Sequence, residues 1–276
     1  MPKDIIHFSH ANGFPAPCYA QLLRDLREDY EVGYIDMLGH DARYPVTDGW
    51  AHLIAQVVDY VAATYRRPVV AVGHSLGGFL SFLAAVTRPE LFRAVVVMDA
   101  PVLGYFKSKG LEVAKRIGMA DRIMPGRGTE RRRAEWPSMD AAFHHLRGRG
   151  VFRHFTADCL HEYLQHGMRH TANGVGLRFD PKIEHRIYQT IPHDLYRHRN
   201  QLAVPAGFMV GRTSSMVSAL DLAYMKWAYR MRFTRVDGGH LFPFEHPVQT
   251  AAKLRVLLAK LLVSHPTTTD HRSRAR

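Results

Sequence analysis

The chain has 276 residues, of which 46% are hydrophobic, and a formal net charge of +12. It is long enough for one large core plus an insertion, and no apolar run approaches the ~18 residues of a membrane-spanning helix, so the sequence reads as a soluble protein. The opening MPKDIIHFSH has no basic stretch leading into a long apolar one and is not expected to be a signal peptide, while Cys18 and Cys159 fit no metal spacing and are expected to be reduced, in a cytoplasmic protein.

Taken in chain order, residues 5–8 predict a short strand, 18–26 a helix, 31–35 a strand and 50–65 a helix. Residues 69–72 are short and β-branched, which predicts a buried strand. The apolar stretch 79–86 is long enough for a helix, and 94–98 returns to strand. Strands alternating with helices of this length require a mostly parallel sheet covered on both faces, an α/β class. After Asp99 the pattern breaks. Residues 101–202 read as helical or irregular, rich in His, Arg and Gly, with no β-branched run; the sheet resumes at 206–210 and 232–236, and a helix over 248–262 closes the fold. This divides the chain into a core of residues 1–100 and 203–263, a helical cap insertion of 101–202, and a basic tail of 264–276 that is expected to be disordered.

Between the strand at 69–72 and the helix after it stands Gly73-His74-Ser75-Leu76-Gly77. A serine hydroxyl is a weak nucleophile at neutral pH, so it must be exposed, pressed against a base, and set beside N–H groups that can receive an oxyanion. A sharp strand-to-helix turn provides that geometry, and the flanking glycines remove side chains that would clash in it. The pentapeptide therefore reads as a nucleophile elbow with Ser75 at its tip.

The positive charge is concentrated in the insertion, where residues 101–200 hold 18 Lys plus Arg against 10 Asp plus Glu. No nucleic-acid motif accompanies it and aromatic residues are not interleaved as a stacking platform requires, so no nucleic-acid partner is expected. Attraction of anionic acyl substrates remains open. The 18 histidines include His161-Glu162-Tyr163-Leu164-Gln165-His166, but those two histidines are five apart rather than four, and no metal site is expected.

From residue 5 to residue 262 the order of elements resembles the α/β hydrolase family. His10-Ala11-Asn12-Gly13-Phe14-Pro15 is similar to its oxyanion loop, Asp36-Met37-Leu38-Gly39-His40 to its D-x-R-G-H turn with Leu38 replacing arginine, and Gly238-Gly239-His240 to the loop carrying its base. The resemblance implies a serine hydrolase with Ser75 as nucleophile, His240 as base, and the backbone N–H groups of Leu76 and Phe14 as the oxyanion hole. It departs at the acid, which in the family usually follows the strand after the cap in a G-x-x-D turn. Here that turn is Gly211-Arg212-Thr213-Ser214. Serine cannot hold the charge that stabilises an imidazolium; Ser215 has the same defect, Asp221 lies too far along, and Asp237 is only three residues before His240. Asp99 ends the strand after the nucleophile's helix, where some members of the family carry the acid, and is the expected third member.

These readings imply hydrolysis of a carboxylic ester or thioester on a small-molecule substrate. No cofactor and no stable membrane insertion is expected. Carbon–carbon bond hydrolysis and acyl transfer use the same residues and stay open, as does a non-catalytic, small-molecule-binding role.

Overall fold

The computed structural model describes residues 2–119, 126 and 128–263, so the basic tail expected over 264–276 lies outside the described residues. Its centre is a six-stranded sheet. The strands are β1 (Ile5–Ser9), β2 (Glu31–Tyr34), β3 (Val69–His74), β4 (Phe92–Met98), β8 (Ala206–Gly211) and β9 (Arg232–Val236), in the spatial order β2-β1-β3-β4-β8-β9. Every neighbouring pair is parallel. All six lie within two residues of their sequence expectations, because β-branched runs bounded by turn residues leave little choice of strand or length.

Alternate side chains of the sheet feed two separate cores. Ile6, Phe8, Val70, Val72, Val96 and Met98 point toward α1 (Ala20–Leu26) and the closing helix, Pro247–Val263. Ile5, Val69, Ala71, Val95 and Val97 point the other way, toward α2 (Ala51–Thr64) and α3 (Leu76–Thr87). The period of two in the pleat thus places a core on each face, as an α/β sheet requires. Helix α3 is buried from Leu76 to Ala85, which its apolar sequence anticipates.

The chain passes from β1 outward to β2 and then back across β1 to β3, so the strand order reverses between β1 and β3. Crevices outside the carboxyl ends of strands at such a reversal are where open α/β sheets bind ligands. The loop after β1 and the Ser75 turn after β3 flank that position.

Between β4 and β8 the chain forms α4 (Tyr105–Arg116), α5 (Met139–Leu146), α6 (Ala157–Gly167) and α7 (Pro181–Gln189). It also forms something the sequence reading omits: a small antiparallel sheet of β5 (Glu135–Trp136), β6 (Met168–Thr171) and β7 (Gly174–Leu177). The hairpin turns on Ala172 and Asn173 and resumes at Gly174 with φ +133°. A Cβ on Gly174 would stand 2.3 Å from the Trp136 carbonyl oxygen, so glycine is required there. Asn173 and Gly174 are turn-favouring residues; Arg, His and Met in place of β-branched residues concealed the strands around them. After β8 follow α8 (Ala219–Tyr229), the short α9 (Phe242–Glu245) and α10, the closing Pro247–Val263 helix.

Candidate active site

Ser75 occupies the turn between β3 and α3 at φ 53° and ψ −116°, a backbone conformation that non-glycine residues rarely adopt. Two close approaches allow it. A Cβ on Gly73 would lie 2.0 Å from the Gly77 carbonyl oxygen, and one on Gly77 would lie 2.0 Å from the Ser9 carbonyl oxygen. The Ser75 N–H donates to the Met98 carbonyl at 2.9 Å and the Gly77 N–H to the His10 carbonyl at 3.0 Å, pinning the turn to β4 on one side and the loop after β1 on the other.

The three residues expected to act together do meet. His240 Nε2 lies 3.1 Å from Ser75 Oγ, and its Nδ1 lies 2.7 Å from Asp99 Oδ2. Asp99 ends β4 with φ 51° and a side chain at 0% exposure, against 28% for His240. Its carboxylate has two further partners. The Gly211 N–H donates to Oδ1 at 3.2 Å and the Ser214 O–H donates to Oδ2 at 2.5 Å. The serine of the Gly211-Arg212-Thr213-Ser214 turn, set aside in the sequence because it cannot carry charge, is thus hydrogen-bonded to the carboxylate that does.

The competing acids are occupied elsewhere. Asp221 forms the capping box of α8 with Ser218 and pairs with Lys107 at 2.7 Å. Asp237 pairs with Arg212 at 2.8 Å and accepts from Gln249. Glu245 accepts the Gly239 N–H at 2.8 Å and so shapes the turn that presents His240. That turn fits against β8 because Gly211 has no side chain; a Cβ there would lie 2.2 Å from the Gly239 carbonyl oxygen.

The oxyanion loop corrects one expectation. The Phe14 N–H, the expected second donor beside Leu76, is donated to the Ala11 carbonyl at 3.1 Å and closes a turn instead. The Phe14 ring packs between those of Tyr163 and Phe244, with centroids 5.4 and 5.2 Å away. Leu76 N–H, at the first position of α3, has no acceptor within the helix.

Three residues that the sequence reading passed over hold this loop. His10 Nδ1–H donates to the Ala11 carbonyl at 2.8 Å while its Nε2 accepts the Leu38 N–H at 2.7 Å, which fixes a neutral ring; burial lowers its pKa to about 4. Tyr19 Oη accepts the Ala11 N–H at 3.1 Å and donates to His74 Nδ1 at 2.8 Å. His74 Nε2–H then donates to the His240 carbonyl at 2.8 Å, and burial holds this histidine's pKa well below its ordinary value, with nearby His240 acting in the same direction. One chain of neutral groups therefore links the loops after β1, β3 and β9. His74 stands inside the pentapeptide and His10 opens the loop motif, so their positions were visible although their partners were not.

On the other side of the loop, the Asn12 side chain donates to the Glu184 carbonyl at 2.9 Å, and the Glu184 carboxyl packs where a Cβ on Gly13 would be only 2.7 Å away. Arg132 pairs with this carboxyl at 2.6 Å, yet burial raises the Glu184 pKa to about 7. A cavity of about 650 Å³ opens beside His240, with Val151, Arg153 and His154 from the inserted stretch facing Thr213, Ser215 and Leu241. Among the described residues no group of three or more His, Cys, Asp or Glu could hold a metal ion, and no helix is long and apolar enough to cross a membrane.

A sequence model of the alpha/beta hydrolase family matches residues 8–253. Among curated proteins, the chain is 33% identical over 110 residues to the monoglyceride lipase of Rattus norvegicus and 30% identical over 100 residues to epoxide hydrolase 4 of Mus musculus. These matches take in 37% and 33% of this chain but only 36% and 27% of those proteins. Among solved structures, an E-2-(acetamidomethylene)succinate hydrolase superposes with a TM-score of 0.75 at 20% identity, covering 94% of this chain and 92% of that one. The thioesterase domain from the curacin biosynthetic pathway superposes with a TM-score of 0.72 at 16% identity, covering 93% and 91%. At these identities the two superpositions establish the fold.

Proposed function

The chain belongs to the alpha/beta hydrolase family, and from that premise we propose that it is a serine hydrolase cleaving carboxylic esters or thioesters through an acyl-enzyme formed on Ser75. The observation that carries this reading is the unbroken line from Asp99 Oδ2 through the His240 ring to Ser75 Oγ, at 2.7 and 3.1 Å. In the proposed first step Ser75 Oγ bonds to the acyl carbon as its proton passes to His240 Nε2. The buried Asp99 carboxylate holds Nδ1–H and stabilises the imidazolium that results. Collapse of the tetrahedral intermediate breaks the bond to the alcohol or thiol, which leaves with the proton from Nε2. Water then repeats the sequence on the acyl-enzyme and regenerates Ser75.

The oxyanion needs two donors. Leu76 N–H is the first. The second is assigned to the short stretch between the Ala11 amide, taken by Tyr19, and the Phe14 amide, taken by Ala11, where the N–H groups of Asn12 and Gly13 have no acceptor among the described residues. The elbow residue is a serine rather than a carboxylate, which favours attack on an acyl carbon over the direct carboxylate chemistry that the family uses on epoxides. Names given to relatives that align over a third of their length do not fix the substrate.

The test is hydrolysis of a short-chain p-nitrophenyl ester together with labelling by a fluorophosphonate. Wild type is expected to turn over and to be labelled at one residue, and Ser75→Ala to lose both, with a rate loss on the order of a millionfold where background permits. A folded wild-type protein that neither hydrolyses any acyl panel nor labels at Ser75 would point to a binding protein instead.

A further inference from the structure

Helix α4 has two apolar stripes, and only one is used. Ser108, Leu111 and Ala114 are buried against the body of the protein. On another face Phe106, Val113 and Ile117, spaced by seven and four residues and so aligned along the helix, are 88%, 54% and 62% exposed. Beside Phe106 a groove of about 540 Å³ runs between α4 and α8, walled by Tyr105, Tyr196, Tyr224, Leu220 and Trp227. Leu220 is 76% exposed and Trp227 58%. Contiguous exposure of this kind marks an interaction surface rather than scattered surface apolarity.

The charge around it has one sign left over. Among the described residues Asp221 is the only acid lining the groove, and Lys107 neutralises it at 2.7 Å. The Arg199 guanidinium lies 3.8 Å from the centroid of the Trp227 ring and makes no ion pair among the described residues. Lys109 and Arg116 share the single carboxylate of Glu112.

We propose that this face, the exposed stripe of α4 with the aromatic groove beside it, docks peripherally on an anionic lipid surface. Phe106 and Leu220 enter the headgroup layer together with Trp227, whose amphipathic ring is favoured there, and Arg199, the lining cation without an ion pair among the described residues, meets lipid phosphates. A second copy of the chain fits less well, because a two-fold contact sets the same patch against itself and would bring Arg199 and its lysine neighbours toward their own like charges. None of these residues belongs to the Ser75 site, so the inference stands apart from the proposed reaction.

The experiment is co-sedimentation of the full chain with sucrose-loaded vesicles, either pure phosphatidylcholine or phosphatidylcholine with about a third phosphatidylglycerol, an anionic surface of the kind such patches recognise. Wild type is expected to bind the anionic vesicles, to bind the neutral ones weakly, and to be released by high salt. Phe106→Ser combined with Leu220→Ser should lower partitioning by about tenfold or more, and separately Arg199→Gln by about fivefold, while ester turnover in solution is unchanged. Brominated lipid should quench Trp227 fluorescence in the wild type but not in a Trp227→Tyr variant. No binding to either vesicle overturns the proposal. So does binding that the patch variants leave intact, which would place it elsewhere on this basic chain, or a concentration-dependent dimer in solution that Phe106→Ser abolishes.

Discussion

The position of the acid can be tested by moving it. Asp99→Asn keeps the shape of the side chain but offers His240 Nδ1 an amide, which favours the wrong ring tautomer; in the serine proteases that define this logic the equivalent change lowers kcat by about 10⁴, or roughly 5 kcal/mol of barrier. Ser214 Oγ lies 2.5 Å from Asp99 Oδ2, and that oxygen lies 2.7 Å from Nδ1. Adding Ser214→Asp to Asp99→Asn therefore brings a carboxylate from the turn after β8 into the same small volume, where the amide introduced at position 99 can donate to it. A placement about 1 Å off the native one costs on the order of a hundredfold, so the double variant should recover about two of the four lost decades. Ser214→Asp alone sets two carboxylates side by side in a buried site and should lower both stability and kcat. Steady-state kcat on a short p-nitrophenyl ester, with a thermal melt of each variant, measures all of this. Asp99→Asn turning over within about tenfold of wild type would refute the acid assignment, and a folded double variant no faster than Asp99→Asn would refute the claim that the two turns share one position.

Two further outcomes follow from the loop around Ser75. Gly77→Ala sets a Cβ 2.0 Å from the Ser9 carbonyl oxygen and 2.3 Å from its carbon, backbone atoms of a central strand; chemical denaturation should show a loss of roughly 3 kcal/mol or more, or no folded protein, and near wild-type stability would mean that the elbow is not packed against β1 as described. Glu184 has a folded pKa raised from 4.5 to about 7 by burial, so the folded state holds a proton there that the unfolded state has already released. Its stabilising contribution is complete below about pH 4.5 and declines as pH rises to about 7. Since glutamine does not titrate, the stability of wild type relative to Glu184→Gln should fall by up to roughly 3 kcal/mol between pH 4.5 and 7 and stay level above that. Equal slopes for the two proteins would show that Glu184 is ionised throughout.

What the sequence disclosed and what it hid divide along sequence separation. Strands β3 and β4, the Ser75 turn and the order of serine before histidine were legible because each rests on a local signal, a β-branched run or a glycine beside a polar residue. Asp99 was reached by elimination, through the absence of a carboxylate in the Gly211 turn. Ser214 was set aside in that same step because its use depends on a partner 115 residues away. Phe14 was misassigned for a similar reason. Which N–H in a tight loop is free depends on φ and ψ, and here Ala11 and Phe14 lie on opposite ends of one backbone bond. The groups that hold the loop from outside, Tyr19, His74 and Glu184, come from three elements, and nothing in the spacing of those elements states their register.

Ser75 and Asp99 both have a positive φ, 53° and 51°, at the ends of neighbouring parallel strands. Each costs on the order of 1 to 3 kcal/mol in isolation, and each is held by one more rung of the sheet ladder: Ser75 N–H to the Met98 carbonyl, Asp99 N–H to the Met209 carbonyl, both 2.9 Å. The carbonyl that fixes Ser75 and the N–H that fixes Asp99 belong to the same Met98–Asp99 peptide group, so the nucleophile and the carboxylate are set by the two ends of one peptide unit at the end of β4. The Gly211 N–H at the end of β8 then reaches the Asp99 carboxylate itself. Three adjacent strand ends are coupled in series, and the acid stands in the middle of them. An acid carried by the β8 turn would be held between β4 and β9, one strand further from the nucleophile. Placed on β4, it is tied to the nucleophile's strand on one side and to β8 on the other, and this leaves the G-x-x-S turn free to contribute a hydroxyl donor instead of a charge.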